Sequence, residues 1–172
     1  MLFFEDEAAF GRMNHIRKCW VHRPCRAIVK KQAIREYLYA FTTVCPKTGE
    51  TCSIISPVCN TEAMNALLEQ TSMTFPHYRI LMIMDAAGWH TTKMLKLPEN
   101  IQILPLPPYS PELNPTEHIW DYIREQKEFN NYTFDSLDDV DTKLGDVLCE
   151  LINEKSIISS MCNFDWIKSA TC

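Results

Sequence analysis

Apolar and polar positions along this chain switch between a two-residue and a 3.6-residue period, and the switches outline its elements. Leu2, Phe3 and Phe4 open a strand over residues 2–10, with Glu5, Asp6 and Glu7 where it emerges and Gly11 ending it. Residues 36–44 are rich in aromatic and β-branched side chains and predict a second strand. Pro46 to Gly49 is a turn signal, and residues 51–58 return as a third strand, completing an antiparallel hairpin. Asn60 is placed to cap a helix over residues 61–70, whose apolar stripe runs through Ala63, Met64, Leu67 and Leu68. The unbroken apolar run 80–84 reads as a central strand covered on both faces, ending at Asp85. A short helix is expected over residues 91–97 and a strand over 101–104. A helix from Glu117 to about Phe129 and an amphipathic helix over 135–152 follow, and Cys19 to Val21 reads as a further short strand. An antiparallel hairpin followed by βαβ units gives an α/β fold, a mixed sheet flanked by helices, in which sites form at strand ends.

Residues 104–120 enter one of these helices stiffly. Pro105, Pro107, Pro108 and Pro111 hold the approach extended, since proline fixes φ and restricts the residue before it. Asn114 suits the N-cap, Pro115 the first helical position, and Glu117 falls three residues after the cap. Glu117 therefore reads in two ways: as the far side of a capping box with Asn114, or as a carboxylate held for chemistry.

Composition narrows the class. The chain has 172 residues, 46% hydrophobic and 23% charged, as expected for one soluble domain with a full core. No apolar run nears the ~18 residues of a membrane helix and no signal-peptide pattern opens the chain, so a cytoplasmic protein is expected. Its eight cysteines include no Cys-x-x-Cys pair and read as reduced structural thiols. The spacing of His15, Cys19, His22 and Cys25 fits no common zinc finger.

The net charge of −5 conceals a polarity. Residues 12–35 hold eight Lys or Arg and no Asp or Glu, whereas residues 112–154 hold twelve acids against three Lys or Arg. The basic run is either a solvated loop or a phosphate-contacting surface, with Arg12, Arg17, Lys18, Arg23 and Arg26 as candidates for DNA contact. Trp20 within it reads as a core residue rather than a base-stacking group.

Three acids stand apart: Asp6 and Asp85 at strand ends, and Glu117 at a helix start. A carboxylate directly after five apolar residues is costly to bury unless paired or metal-bound. Converging carboxylates repel, and a divalent cation resolves the repulsion; an all-oxygen set favours Mg²⁺ or Mn²⁺. Taken alone, Asp85 also fits a turn start, and Glu5 or Glu7 fits the role given to Asp6.

Three motifs carry a resemblance: Asp-Glu-Ala-Ala-Phe-Gly-Arg from Asp6, Met-Asp-Ala-Ala-Gly-Trp-His from Met84, and Leu-Pro-Pro-Tyr-Ser-Pro-Glu-Leu-Asn-Pro-Thr-Glu-His-Ile-Trp from Leu106. The chain resembles the catalytic domain of the mariner-superfamily DDE transposases, closest to their bacterial insertion-sequence branch, over nearly its whole length. The resemblance implies a ribonuclease-H-like fold, with Asp6, Asp85 and Glu117 as a catalytic triad holding Mg²⁺ or Mn²⁺, two ions in all. It implies DNA cleavage at an element's ends followed by strand transfer into target DNA. The 31 residues between Asp85 and Glu117 are slightly fewer than in the best-known pattern, which leaves Glu112 and Asp121 as alternative third acids. His90 is placed to touch the scissile phosphate or to serve as a structural hydrogen-bonding group. Family members carry N-terminal helix-turn-helix modules, absent from these residues. The chain is therefore expected to be one catalytic domain that is a fragment, one reading frame of a split gene, or the partner of a chain carrying the binding modules, with a homodimer also expected, and to cut or join DNA poorly by itself. A silent remnant, or a nuclease without strand transfer, are the competing readings.

Overall fold

The computed structural model describes residues 1–85, 87, 92 and 94–170. Five strands form one mixed sheet: β1 (Leu2–Met13), β2 (Ala33–Cys45), β3 (Glu50–Ser56), β4 (Ile80–Met84) and β5 (Ile101–Pro105), in the order β3-β2-β1-β4-β5. β1, β2 and β3 pair antiparallel, while β4 pairs parallel with both β1 and β5. The predicted hairpin and mixed sheet are present. The centre of the sheet is β1, not the apolar run 80–84. β4 lies next to the edge strand, and Leu81 on it is partly exposed. An apolar run reports burial of its own side chains but not the number of strands on either side of it.

Side chains alternate across β1, and that alternation divides the core. Phe4, Ala8 and Phe10 face one layer, made by α2 (Glu117–Gln126), α3 (Leu137–Asn153), α4 (Lys155–Cys162) and α5 (Asp165–Ala170). Phe3 faces the other, where α1 (Thr61–Thr74) packs Met64, Leu67 and Leu68 against Phe41, Ile80 and Met82. Asn60 caps α1 as expected, its side chain accepting the Ala63 N–H at 3.0 Å. Ser136 and Asp139 close a capping box at the start of α3. The tail, unassigned from sequence, forms α4 and α5. The β2–β3 turn seats against α4: Gly49 has a φ of +71°, and a Cβ there would collide with the Lys155 carbonyl.

Three expectations need correction. Gly11 does not end β1; the strand bulges between Gly11 and Met13 and runs on, with the Glu36 backbone close enough to exclude a side chain at Gly11. Cys19 to Val21 form no strand, because residues 14–32 leave the sheet as a largely exposed segment without regular structure. Of the helix expected over residues 91–97, Thr91 and Lys93 lie outside the described residues, and residues 95–97 are not helical.

Candidate active site

The parallel register sets the first pair of acids. Phe4 is level with Ile83, so two residues further along Asp6 and Asp85 come level where β1 and β4 part. Asp6 is therefore not at the end of its strand, as expected from sequence, but in its middle, at the end of its pairing with β4. The alternation along β1 turns Asp6 to the α2 face and Glu5 and Glu7 to the α1 face. Glu5 is buried, and the Cys59 thiol donates to Glu7 Oε1 at 3.7 Å.

The stiff stretch supplies the third acid. The Leu106 N–H donates to the Met84 carbonyl at 2.8 Å, extending the sheet by one bond and steering the prolines across the strand ends. A 3-10 turn at Pro111–Leu113 reverses the chain. Asn114 is buried, and its Nδ2 donates to the Glu5 carbonyl at 3.0 Å while its Oδ1 accepts the Thr116 N–H at 3.2 Å. One side chain thus ties the entry of α2 to the strand that carries Asp6. The capping box with Glu117 is not made: the Asn114 N–H donates to the Pro111 carbonyl, and α2 begins at Glu117 with Thr116 as its cap. Glu117 is exposed on the first turn.

Asp6, Asp85 and Glu117 line one cleft of about 420 Å³, walled by Leu106 to Pro111 and Asn114. Neither Glu112 nor Asp121 is among its lining residues. At the lip, Tyr109 stands at a φ of 59°, costly for a side chain of its size, with its ring wholly exposed. Asp85 Oδ1 accepts the Ala87 N–H at 2.8 Å. Trp120, one turn beyond Glu117, is buried, and its indole N–H donates to Asp6 Oδ2 at 2.7 Å. Sequence reasoning missed this bond, although its spacing from Glu117, three residues along a helix, was the available signal.

The electrostatics are those of crowded acids. Burial pushes the Asp6 carboxyl up to about 7, the Trp120 N–H opposes that rise, and the Glu117 and Glu7 charges add to it. Burial, followed by the charges of Glu7, Asp6 and Asp85, raises Glu5 well above the ordinary carboxylate range. A cation in the cleft would relieve this strain, and the oxygen-only donor set suits Mg²⁺ or Mn²⁺. Among the described residues no three His, Cys, Asp or Glu side chains stand close enough to grip one ion as they lie. An ion would therefore have to draw the acids together.

The basic segment is placed differently from the acids. Its root is clamped: Asn14 Nδ2 donates to the Lys30 carbonyl, the Gln32 N–H to Asn14 Oδ1, and Gln32 Nε2 to the Phe134 carbonyl. Arg17, Lys18, Arg23 and Arg26 beyond the root are exposed. Arg12 does not share that freedom; it pairs with Glu36 at 2.8 Å and donates to the Phe134 carbonyl, so its charge is already engaged. Trp20 is fully exposed rather than in the core, because the segment has no layer beneath it. His90 and Trp89 lie outside the described residues.

Comparisons with known proteins bear on the family and the fold. Residues 1–141 match the DDE superfamily endonuclease family model. An uncharacterized protein, y4pE/y4sA of Sinorhizobium fredii, is 35% identical over 131 residues, covering 76% of this chain and 96% of that protein. The Mos1 mariner paired-end complex with Mn matches in fold with a TM-score of 0.64 at 16% identity, over 98% of this chain and 55% of that one. The catalytic domain of Mos1 mariner transposase matches with a TM-score of 0.55 at 13% identity, over 98% of this chain and 81% of that one. The chain spans about half the length of the Mos1 transposase chains in the paired-end and strand-transfer complexes it matches. Its mixed sheet, with helices on both faces, is the ribonuclease-H-like fold of transposase catalytic domains, and the chain belongs to the DDE superfamily endonucleases.

Proposed function

We propose that this chain is the catalytic part of a transposase, cutting DNA at the ends of an insertion sequence and transferring the cut strand to target DNA. The observation that carries the reading is the shared cleft: Asp6, Asp85 and Glu117, from two strands and one helix, open onto a single space beside no other acid of the motif. In it Asp6, Asp85 and Glu117 are the catalytic residues and would hold Mg²⁺ or Mn²⁺, two ions during the reaction. Bound there, the ions supply a nucleophile at neutral pH and stabilise the oxygen that leaves phosphorus. The protein's own part is placement. β1 and β4 set the two aspartates by register, Asn114 fixes the entry of α2, and the proline stretch walls one side of the cleft. Exposed Arg17, Lys18, Arg23 and Arg26 contact the DNA backbone, and the partners are element ends and target DNA, engaged by paired copies of the chain. The Mos1 complexes with transposon-end DNA, with Mn and with Mg support the reading by likeness of fold.

The test is incubation with Mn²⁺ and pre-cleaved element ends beside a target duplex. Joined products are expected, and Asp85→Asn should abolish them. Hydrolysis without joining would make the chain a nuclease, no reaction would make it a silent remnant, and full activity of Asp85→Asn would remove the acid assignment.

A further inference from the structure

The buried Trp120 has a polar bond that core packing does not require. Its indole N–H is a donor only, and its partner is the carboxylate oxygen Oδ2 of Asp6 at 2.7 Å, a charge-assisted distance. The ring is almost wholly buried and meets Phe10 edge-on with centroids 6.0 Å apart, so its rotamer is fixed by packing. The same helix, one turn earlier, carries Glu117 at the cleft. Two acids from distant parts of the chain are therefore set by one rigid element: Glu117 directly and Asp6 through the indole.

We propose that Trp120 is a positioning residue of the acid cleft, its indole N–H holding Asp6 Oδ2 and so setting the orientation in which the carboxylate meets a divalent cation. The proposal rests on the reading of Asp6 as a metal ligand. A carboxylate without such a brace can rotate about its Cβ–Cγ bond and offer either oxygen; with Oδ2 held by the indole, beside the bond from the Glu7 backbone, that rotation is restricted before an ion draws the acids together. Partners of this kind tune ligands that touch a metal without touching it themselves.

The substitution that isolates the bond is Trp120→Phe, which keeps an aromatic ring against Phe10 and removes the donor. Mn²⁺ binding, followed by electron paramagnetic resonance of free ion, should weaken by about tenfold or more, the usual effect of losing such a partner. The half-saturating Mn²⁺ concentration for DNA cleavage should rise in step, with excess Mn²⁺ restoring activity, while the melting temperature moves by only a few degrees. A Trp120→Phe protein that melts normally and binds Mn²⁺ as the parent does would overturn the proposal. Should that variant fail to fold, nitrogen-15 spectra of the parent decide without metal or DNA. One protected indole N–H resonance should shift on Asp6→Asn, and four unmoved indole resonances would refute the bond. Asp6→Asn also separates the two ideas. If it leaves Mn²⁺ binding intact, the acid assignment itself fails; if it abolishes binding while Trp120→Phe does not, only the brace fails.

Discussion

The two ends of the β1–β2 ladder are built on opposite principles. At one end Asp6 lies beside the core, level with Asp85, bonded to Trp120, on a strand held at Glu5 by Asn114. At the other end the same two strands open into the exposed segment 14–32, where Trp20 and Ile28 face solvent and four basic side chains extend from a clamped root. Phosphoryl transfer needs oxygens placed to fractions of an ångström, and only packing and buried hydrogen bonds supply that. Binding phosphates needs charge and reach, and it tolerates a segment with little beneath it. On the proposed function one pair of strands would serve both, because its two ends lie apart and can be specified separately.

The contrast can be broken at several points, of decreasing size. Glu117→Gln should cut DNA cleavage by about a thousandfold. It should leave the melting temperature unchanged or raised, since the Glu117 charge works against ionised Asp6. A cleavage assay beside a thermal melt reads both, and a variant that lost stability instead would give Glu117 a structural role. Next is pH. Asp6 holds its proton in the folded chain up to about 7, against 3.8 when unfolded, so the unfolded state releases that proton first as pH rises. The metal-free protein should therefore be most stable below about pH 4 with respect to this group, and lose up to a few kcal/mol between about pH 4 and 7. Buried Glu5 acts in the same sense. Denaturant titrations across that window, with and without Mn²⁺, measure it; the ion should offset the loss at the alkaline side.

Asn114→Ala removes a buried donor to the Glu5 carbonyl and the acceptor for Thr116, and should cost about 2 kcal/mol by chemical denaturation. Replacing Arg17, Lys18, Arg23 and Arg26 together by Ala should leave the melt unchanged. In the same protein, the slope of log affinity for DNA against log salt should shrink by about 1 for each phosphate left without its basic side chain. Smallest of all, Trp20→Ala should alter folding stability by less than about 0.5 kcal/mol, as for any side chain with no layer under it.

Sequence and structure agree where local chemistry decides and part where tertiary context does. The hairpin and the cap at Asn60 are legible because turn residues and an N-cap act over a few residues, whereas the three acids are singled out by the motifs that carry the family resemblance. The centre of the sheet is not, since strand order depends on partners far along the chain. Trp20 reads as core on its chemistry alone, but a tryptophan is buried only where the backbone returns to a layer. The capping box expected at Glu117 is displaced by a 3-10 turn that engages the Asn114 N–H one step earlier. That bond leaves the Glu117 carboxylate out of the cap, so the capping reading is not met. The Trp120–Asp6 bond joins residues 114 apart, a separation no local pattern reports.

The exposed segment also determines where this molecule can be divided. A protease nick among residues 18–29 would leave Asp6 on a short peptide and Asp85 and Glu117 on the remainder. The peptide would stay seated between β2 and β4 through its ladders on both sides. If the acid cleft is the reacting centre, two such polypeptides should restore it by complementation, with the first acid delivered as an inserted strand.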